Sequence, residues 1–96
     1  GEVTPERLEI LQTSDRIFRQ LMEDANQTKR LSAFYCTLEP HGRDYTVSLH
    51  ARAASDAGIA RAARIPYDIL ENVMSQIHAS CPKVARVVYE LTPDLS

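Results

Sequence analysis

The sequence predicts an α+β fold: a two-layer sandwich in α-β-β-α-β order, with both helices on one face of a small, mostly antiparallel sheet. Three observations predict it. Two segments carry apolar residues at helical spacing, each on a single stripe. Three others carry the period-two alternation of strands. At 96 residues the chain has length for one hydrophobic core, so a single domain over 1–96 is expected.

The first helix opens at Thr4-Pro5-Glu6. Thr4 offers a hydroxyl to an unpaired backbone N–H, Pro5 suits the first helical position, and Glu6 sits near the positive end of the helix dipole. Val3 is placed to fold over Leu8 as a hydrophobic staple. Leu8, Leu11, Phe18, Leu21, Met22 and Ala25 form the expected buried stripe, and Asn26 a left-handed terminator. Leu31–Glu39 and Tyr45–Arg52 read as a hairpin turning at Pro40-His41-Gly42. In the second of these strands Tyr45, Val47, Leu49 and Ala51 alternate with Thr46, Ser48, His50 and Arg52, giving a core face and a polar face. Ala53–Arg64 has no strong period and reads as a loop with one short helical turn. Pro66 then opens a second helix with Ile69, Leu70, Val73, Met74 and Ile77 on one stripe, stopped by Pro82. Val84–Thr92 reads as the third strand.

Composition narrows the function classes. Eleven basic and 13 acidic residues give a formal charge of −2, against a general nucleic-acid binder. Hydrophobic residues at 44% and charged residues at 25% are globular values. No run approaches the length of a membrane span, and no signal peptide opens the chain. Two widely separated cysteines, Cys36 and Cys81, fit reduced thiols in a cytoplasmic protein better than a disulfide framework. A chain that opens on Gly1 and not on methionine reads as a fragment of a longer polypeptide or as a tag scar.

Catalytic and metal chemistry find little support. His78 and Cys81 lie three apart at the end of the second helix, but zinc needs three or four ligands and no second pair has matching spacing. No metal site and no cofactor is expected. His41 reads as a turn residue, His50 as a residue of an exposed strand face, and Cys81 as a small hydrophobe. With glycine only at positions 1, 42 and 58, no phosphate-cradling loop is present. A KH-like RNA-binding reading needs a GXXG clamp, which the sequence lacks. Arg52, Arg61 and Arg64 read as a solvated face in preference to an RNA groove.

The two helices can cover only one side of the sheet. The other side takes Thr46, Ser48 and His50 from one strand and Arg86, Val88 and Glu90 from another, too mixed for a buried core yet suited to a moderately polar interface. A homodimer through these residues is expected, because an isologous contact presents the same patch twice.

Three segments, GEVTPERLEIL at 1–11, RIPYDIL at 64–70 and ARVVYELT at 85–92, together resemble the C-terminal dimerisation domain of glutamine-hydrolysing GMP synthase. There they correspond to GE(I/V)T.E.L..L, (L/I)PY..L and (N/S)RVVYDI(S/T). SLHARAASDA at 48–57 and Gly42-Arg43-Asp44-Tyr45 are similar to the family's SLRAV.(T/S).D and G-R-x-Y. The resemblance implies an α+β domain that pairs two subunits and helps hold xanthosine monophosphate. Its parent enzyme would be a ligase using ATP and magnesium, with glutaminase and ATP-pyrophosphatase domains upstream.

The departures from that pattern shape the expected function. A loop of the PVRSVGVMGD type is missing before the G-R-x-Y, and where the family carries a KPPATIEWE-type tail the sequence reads Pro93-Asp94-Leu95-Ser96. Ser32 stands where the family has glutamine, and its TADW is replaced around Ile59–Ala62. Of the substrate-side residues only Arg43 sits in a matching motif. The expectation is a dimerisation domain without catalysis of its own and with weak or absent nucleotide binding. The alternatives are a divergent stand-alone interaction module and, less favoured, the KH-like RNA binder.

Overall fold

Pro5–Asp24 forms the first helix, α1, in a computed structural model that describes residues 4–53 and 61–90. Thr4 caps it, its Oγ1 accepting a hydrogen bond from the Arg7 N–H at 3.1 Å, with Pro5 in the first turn. Asn26, at φ 57°, turns the chain out of the helix through the left-handed region. The buried face runs Ile10, Ser14, Phe18, Met22 at steps of four. This corrects one end of the expected stripe, because Leu8 is 46% exposed. Leu8 lies two residues from Ile10, about 200° around a helix of 3.6 residues per turn. The staple partner Val3 lies outside the described residues.

One 3-10 turn, Thr28–Arg30, leads into β1, Leu31–His41, which pairs antiparallel with β2, Asp44–Ala53. Pro40 and His41 belong to β1, and the turn is the two-residue Gly42-Arg43, not Pro40-His41-Gly42. Gly42 has φ 63°, the positive value that a tight hairpin with glycine at its first central position requires. Pro40 is tolerated because β1 is an edge strand and its missing N–H breaks no inner ladder.

The expected loop holds a short strand, β3, Arg61–Ala62, antiparallel to the end of β2. No helical turn forms in the described part of that loop, and residues 54–60 lie outside the described residues. Next comes α2, Tyr67–Ser80, with Pro66 at its N-cap and Leu70, Val73 and Ile77 buried. Last is β4, Val84–Tyr89, parallel to β2. The predicted extension of that strand to Thr92 reaches beyond the described residues.

The expected two-layer α-β-β-α-β architecture is what forms. β1 occupies one side of β2 along its length, so β3 and β4 share the other. α1 packs on β1 and β2, α2 packs on β4, and the helices touch each other. Val47, Leu49 and Ala51 point into this layer and meet Phe18, Met22, Val73 and Ile77 in one core. Phe18 is fully buried and meets Phe34 edge to face, with centroids 5.6 Å apart.

Candidate interaction face

Because Val47, Leu49 and Ala51 face the helices, Thr46, Ser48 and His50 face the other way, as the alternation predicts. The ladders then decide which side chains flank them. On β1, Glu39 stands opposite Thr46, Thr37 opposite Ser48 and Tyr35 opposite His50. On β4, Arg86 stands opposite Thr46 and Val88 opposite Ser48, and the Glu90 N–H donates to the Leu49 carbonyl just beyond the strand. The open face is therefore three rows: Glu39–Thr46–Arg86, Thr37–Ser48–Val88 and Tyr35–His50–Glu90.

All six predicted face residues are brought together. Thr46 and Ser48 are buried within the single chain, at 7% and 6% exposure, because they are short side chains in a middle strand. Glu39, Arg86 and Glu90 are exposed; Thr37, His50 and Val88 are half-buried. The face is thus a low centre between charged margins. Its contributors on β1, namely Tyr35, Thr37 and Glu39, escaped the sequence reading. The Gly42-Arg43 turn was the signal that could have found them, since a two-residue turn dictates the pairing of every residue behind it.

The far row is internally ordered. Tyr35 and His50 stack at 4.7 Å, the Thr37 Oγ1 and His50 Nε2 lie 2.8 Å apart in a hydrogen bond, and the Arg52 guanidinium donates to the Tyr35 hydroxyl at 3.5 Å. Arg43, the predicted nucleotide contact, does not lie on the face. It sits exposed at the hairpin tip, beyond the Glu39–Thr46–Arg86 row.

The remaining reactive groups are separate. Cys36 points into the helix layer, and burial, reinforced by the nearby Asp15 carboxylate, pushes its thiol up to about 12. Cys81 is buried and its thiol is likewise raised, chiefly by burial. His78 lies exposed on α2 beside a shallow hollow shared with Met74, Ser75, Ala79 and Val87. Among the described residues no three metal-ligating side chains gather, and no helix is long and apolar enough to cross a membrane.

Fold and face define a small two-layer α+β domain whose helices cover one side of the sheet and leave a side of mixed polarity open. The chain belongs to the GMP synthase C terminal domain family, whose model matches residues 22–95. Its relatives include glutamine-hydrolyzing GMP synthases of Caldicellulosiruptor saccharolyticus, 39% identical, Geobacillus kaustophilus, 35%, and Symbiobacterium thermophilum, 39%. Each similarity covers 96% of this chain and 20% of the relative, so the chain spans about a fifth of their length. The alignments run over 102 or 103 positions, more than the 96 residues of the chain, so these relatives carry residues at positions where it has none.

Proposed function

We propose that this chain is the dimerisation domain of a glutamine-hydrolysing GMP synthase, pairing two copies through the open sheet face and catalysing nothing by itself. The observation that carries the reading is the face: three strands whose outward side chains combine a short, half-dry centre with exposed charges of both signs. Surfaces of that mixed composition are typical of interfaces that are not simply an extension of the core. A specific interface buries at least ~1,000 Å² in total. The 11 residues of β1 and 10 of β2 give the face length to supply it.

The parent reaction would activate a carbonyl of xanthosine monophosphate with ATP and magnesium, and ammonia from glutamine would then displace the activated oxygen to give GMP. In this reading those steps belong to domains outside the chain, and the protein works in the cytoplasm. Arg43 is the residue of this chain proposed to approach the nucleotide. One exposed arginine on a hairpin tip is a poor phosphate site alone, so weak or absent binding of xanthosine monophosphate is expected. Calorimetry showing low-micromolar affinity would contradict that part.

Light scattering after gel filtration at tens of micromolar tests the pairing. The expected mass is twice the 10.8 kDa of one chain. A species at 10.8 kDa alone would overturn it.

A further inference from the structure

We propose that the outer edge of β1 is a second self-association surface, separate from the open face, on which two copies pair β1 to β1 antiparallel with Tyr35 opposite Tyr35. The backbone decides which groups point outward. The Tyr45 N–H donates to the Lys83 carbonyl, the Ala63 N–H to the Ala51 carbonyl and the Glu90 N–H to the Leu49 carbonyl. Tyr45, Leu49 and Ala51 thus turn their peptide groups away from β1. Their partners Pro40, Cys36 and Phe34 turn theirs to the outer edge, as does Leu38 between them. Among the described residues no strand pairs with that side of β1. The run Ala33-Phe34-Tyr35-Cys36-Thr37-Leu38 carries neither charge nor proline, and Glu39 and Pro40 stand only at its end. A long edge without such blunting residues is a template for another strand.

Charges on α1 say which strand. Arg19 lies over the Phe34 ring at 5.0 Å, and Asp15, 3.7 Å from Arg19, is the carboxylate that acts on Cys36. α1 therefore runs antiparallel to β1, four helical residues covering about the length of two strand residues. Pairing centred on Tyr35 sets Phe34 opposite the second copy's Cys36, where they exchange backbone hydrogen bonds. Arg19 then faces the second copy's Asp15, twice, and the four charges alternate around the axis.

Neighbouring registers lose this. Centred on Cys36, the pair sets Asp15 against Asp15; centred on Phe34, it sets Arg19 against Arg19. Centred on Thr37, it brings Phe34 to Pro40, whose missing N–H leaves the Phe34 carbonyl without a donor. Complementarity of this kind selects partner and register more than it adds strength, because both charged side chains are about half exposed. A single strand edge buries less than the ~1,000 Å² of a stable interface, so the contact is transient and is best seen by trapping it.

Disulfide trapping tests it. Opposed residues that share no backbone bonds lie about 4.5 Å apart at Cα, inside the disulfide range. Under mild oxidation Tyr35→Cys is expected to cross-link to itself about tenfold faster than Ala33→Cys or Thr37→Cys. A mixture of those last two, which this register sets opposite each other, should cross-link between chains. Adding Arg19→Asp to Tyr35→Cys should slow trapping, and the double exchange Asp15→Arg/Arg19→Asp should restore it. Peptide mapping identifies the joined thiols, and unchanged far-ultraviolet circular dichroism confirms that each variant is folded. Folded Tyr35→Cys that does not cross-link, or that cross-links more slowly than Thr37→Cys, would overturn the proposal. Either result leaves the pairing through the open face untouched, since α1 and the β1 edge take no part in it.

Discussion

Tyr35 and His50 lie ring on ring across the β1–β2 ladder, centroids 4.7 Å apart and planes 6° from parallel. The Thr37 hydroxyl holds the imidazole from the next row at 2.8 Å, so the far end of the open face is a fixed platform. Cross-strand pairs and aromatic stacks each contribute up to about 1 kcal/mol. His50→Ala removes the stack and leaves Thr37 without that partner, and a loss of about 1 kcal/mol is expected in urea unfolding. His50→Phe, which keeps a ring on Tyr35, should lose less. Equal stability of the alanine variant and the wild type would contradict a structural role for the stack.

The short strand β3 is held partly by a side chain from the last strand. Tyr89 donates its hydroxyl to the Ala63 carbonyl at 2.5 Å, while the Ala63 N–H donates to the Ala51 carbonyl at 2.8 Å. Burial raises the Tyr89 phenol above its usual range. Tyr89→Phe should cost about 1 kcal/mol, the net worth of an ordinary hydrogen bond. Hydrogen exchange at the Ala63 amide should accelerate correspondingly, and an unchanged rate would show that β3 does not depend on the phenol.

The thiol of Cys36 predicts an alkaline limit. Its value near 12 in the folded chain lies above the ordinary 9.0, so the folded state holds a proton that the unfolded state releases. The contribution to stability is fully present below pH 9 and is lost as the pH rises toward 12, at no more than about 1.4 kcal/mol per pH unit. Urea midpoints measured at increasing alkaline pH should therefore fall, and Cys36→Ala should flatten the decline. In the native protein both cysteines should react slowly with thiol reagents until the chain unfolds; rapid native modification of Cys36 would contradict its placement.

Phe18 links the two layers, fully buried on α1 and edge-on to Phe34 of β1. Phe18→Ala should cost 3–5 kcal/mol, roughly the range for emptying a buried aromatic site. A small domain has about 5–15 kcal/mol in total, so the variant should melt far below the wild type in calorimetry. A shift of only a degree or two would mean that the helix is held elsewhere.

Local chemistry made much of this fold legible. Thr4, Pro5 and Asn26 act on their immediate neighbours and mark the ends of α1 as their side chains dictate. The strict alternation of β2 separates Val47 and Leu49 from Thr46 and Ser48 because a strand has only two faces. The misreadings lie where a distant element decides. Ile10 displaces Leu8 from the core because packing selects which part of a broad apolar arc is used. Arg61–Ala62 becomes a strand only because the end of β2 and the Tyr89 hydroxyl receive it. The candidate face was half visible: β2 and β4 carry it in their alternation, whereas the share of β1 depends on a register that the Gly42-Arg43 turn sets.

The central claim is that two chains meet through this face, and isotope-filtered nuclear Overhauser spectra of a mixed labelled and unlabelled sample test it most directly. In a pair formed through the open face the methyl groups of Thr37, Thr46 and Val88 meet the face of the second copy, so filtered cross-peaks arising from these methyls are predicted. Filtered contacts arising from Leu8 on α1 or Tyr67 on α2, with none from the face, would contradict the account.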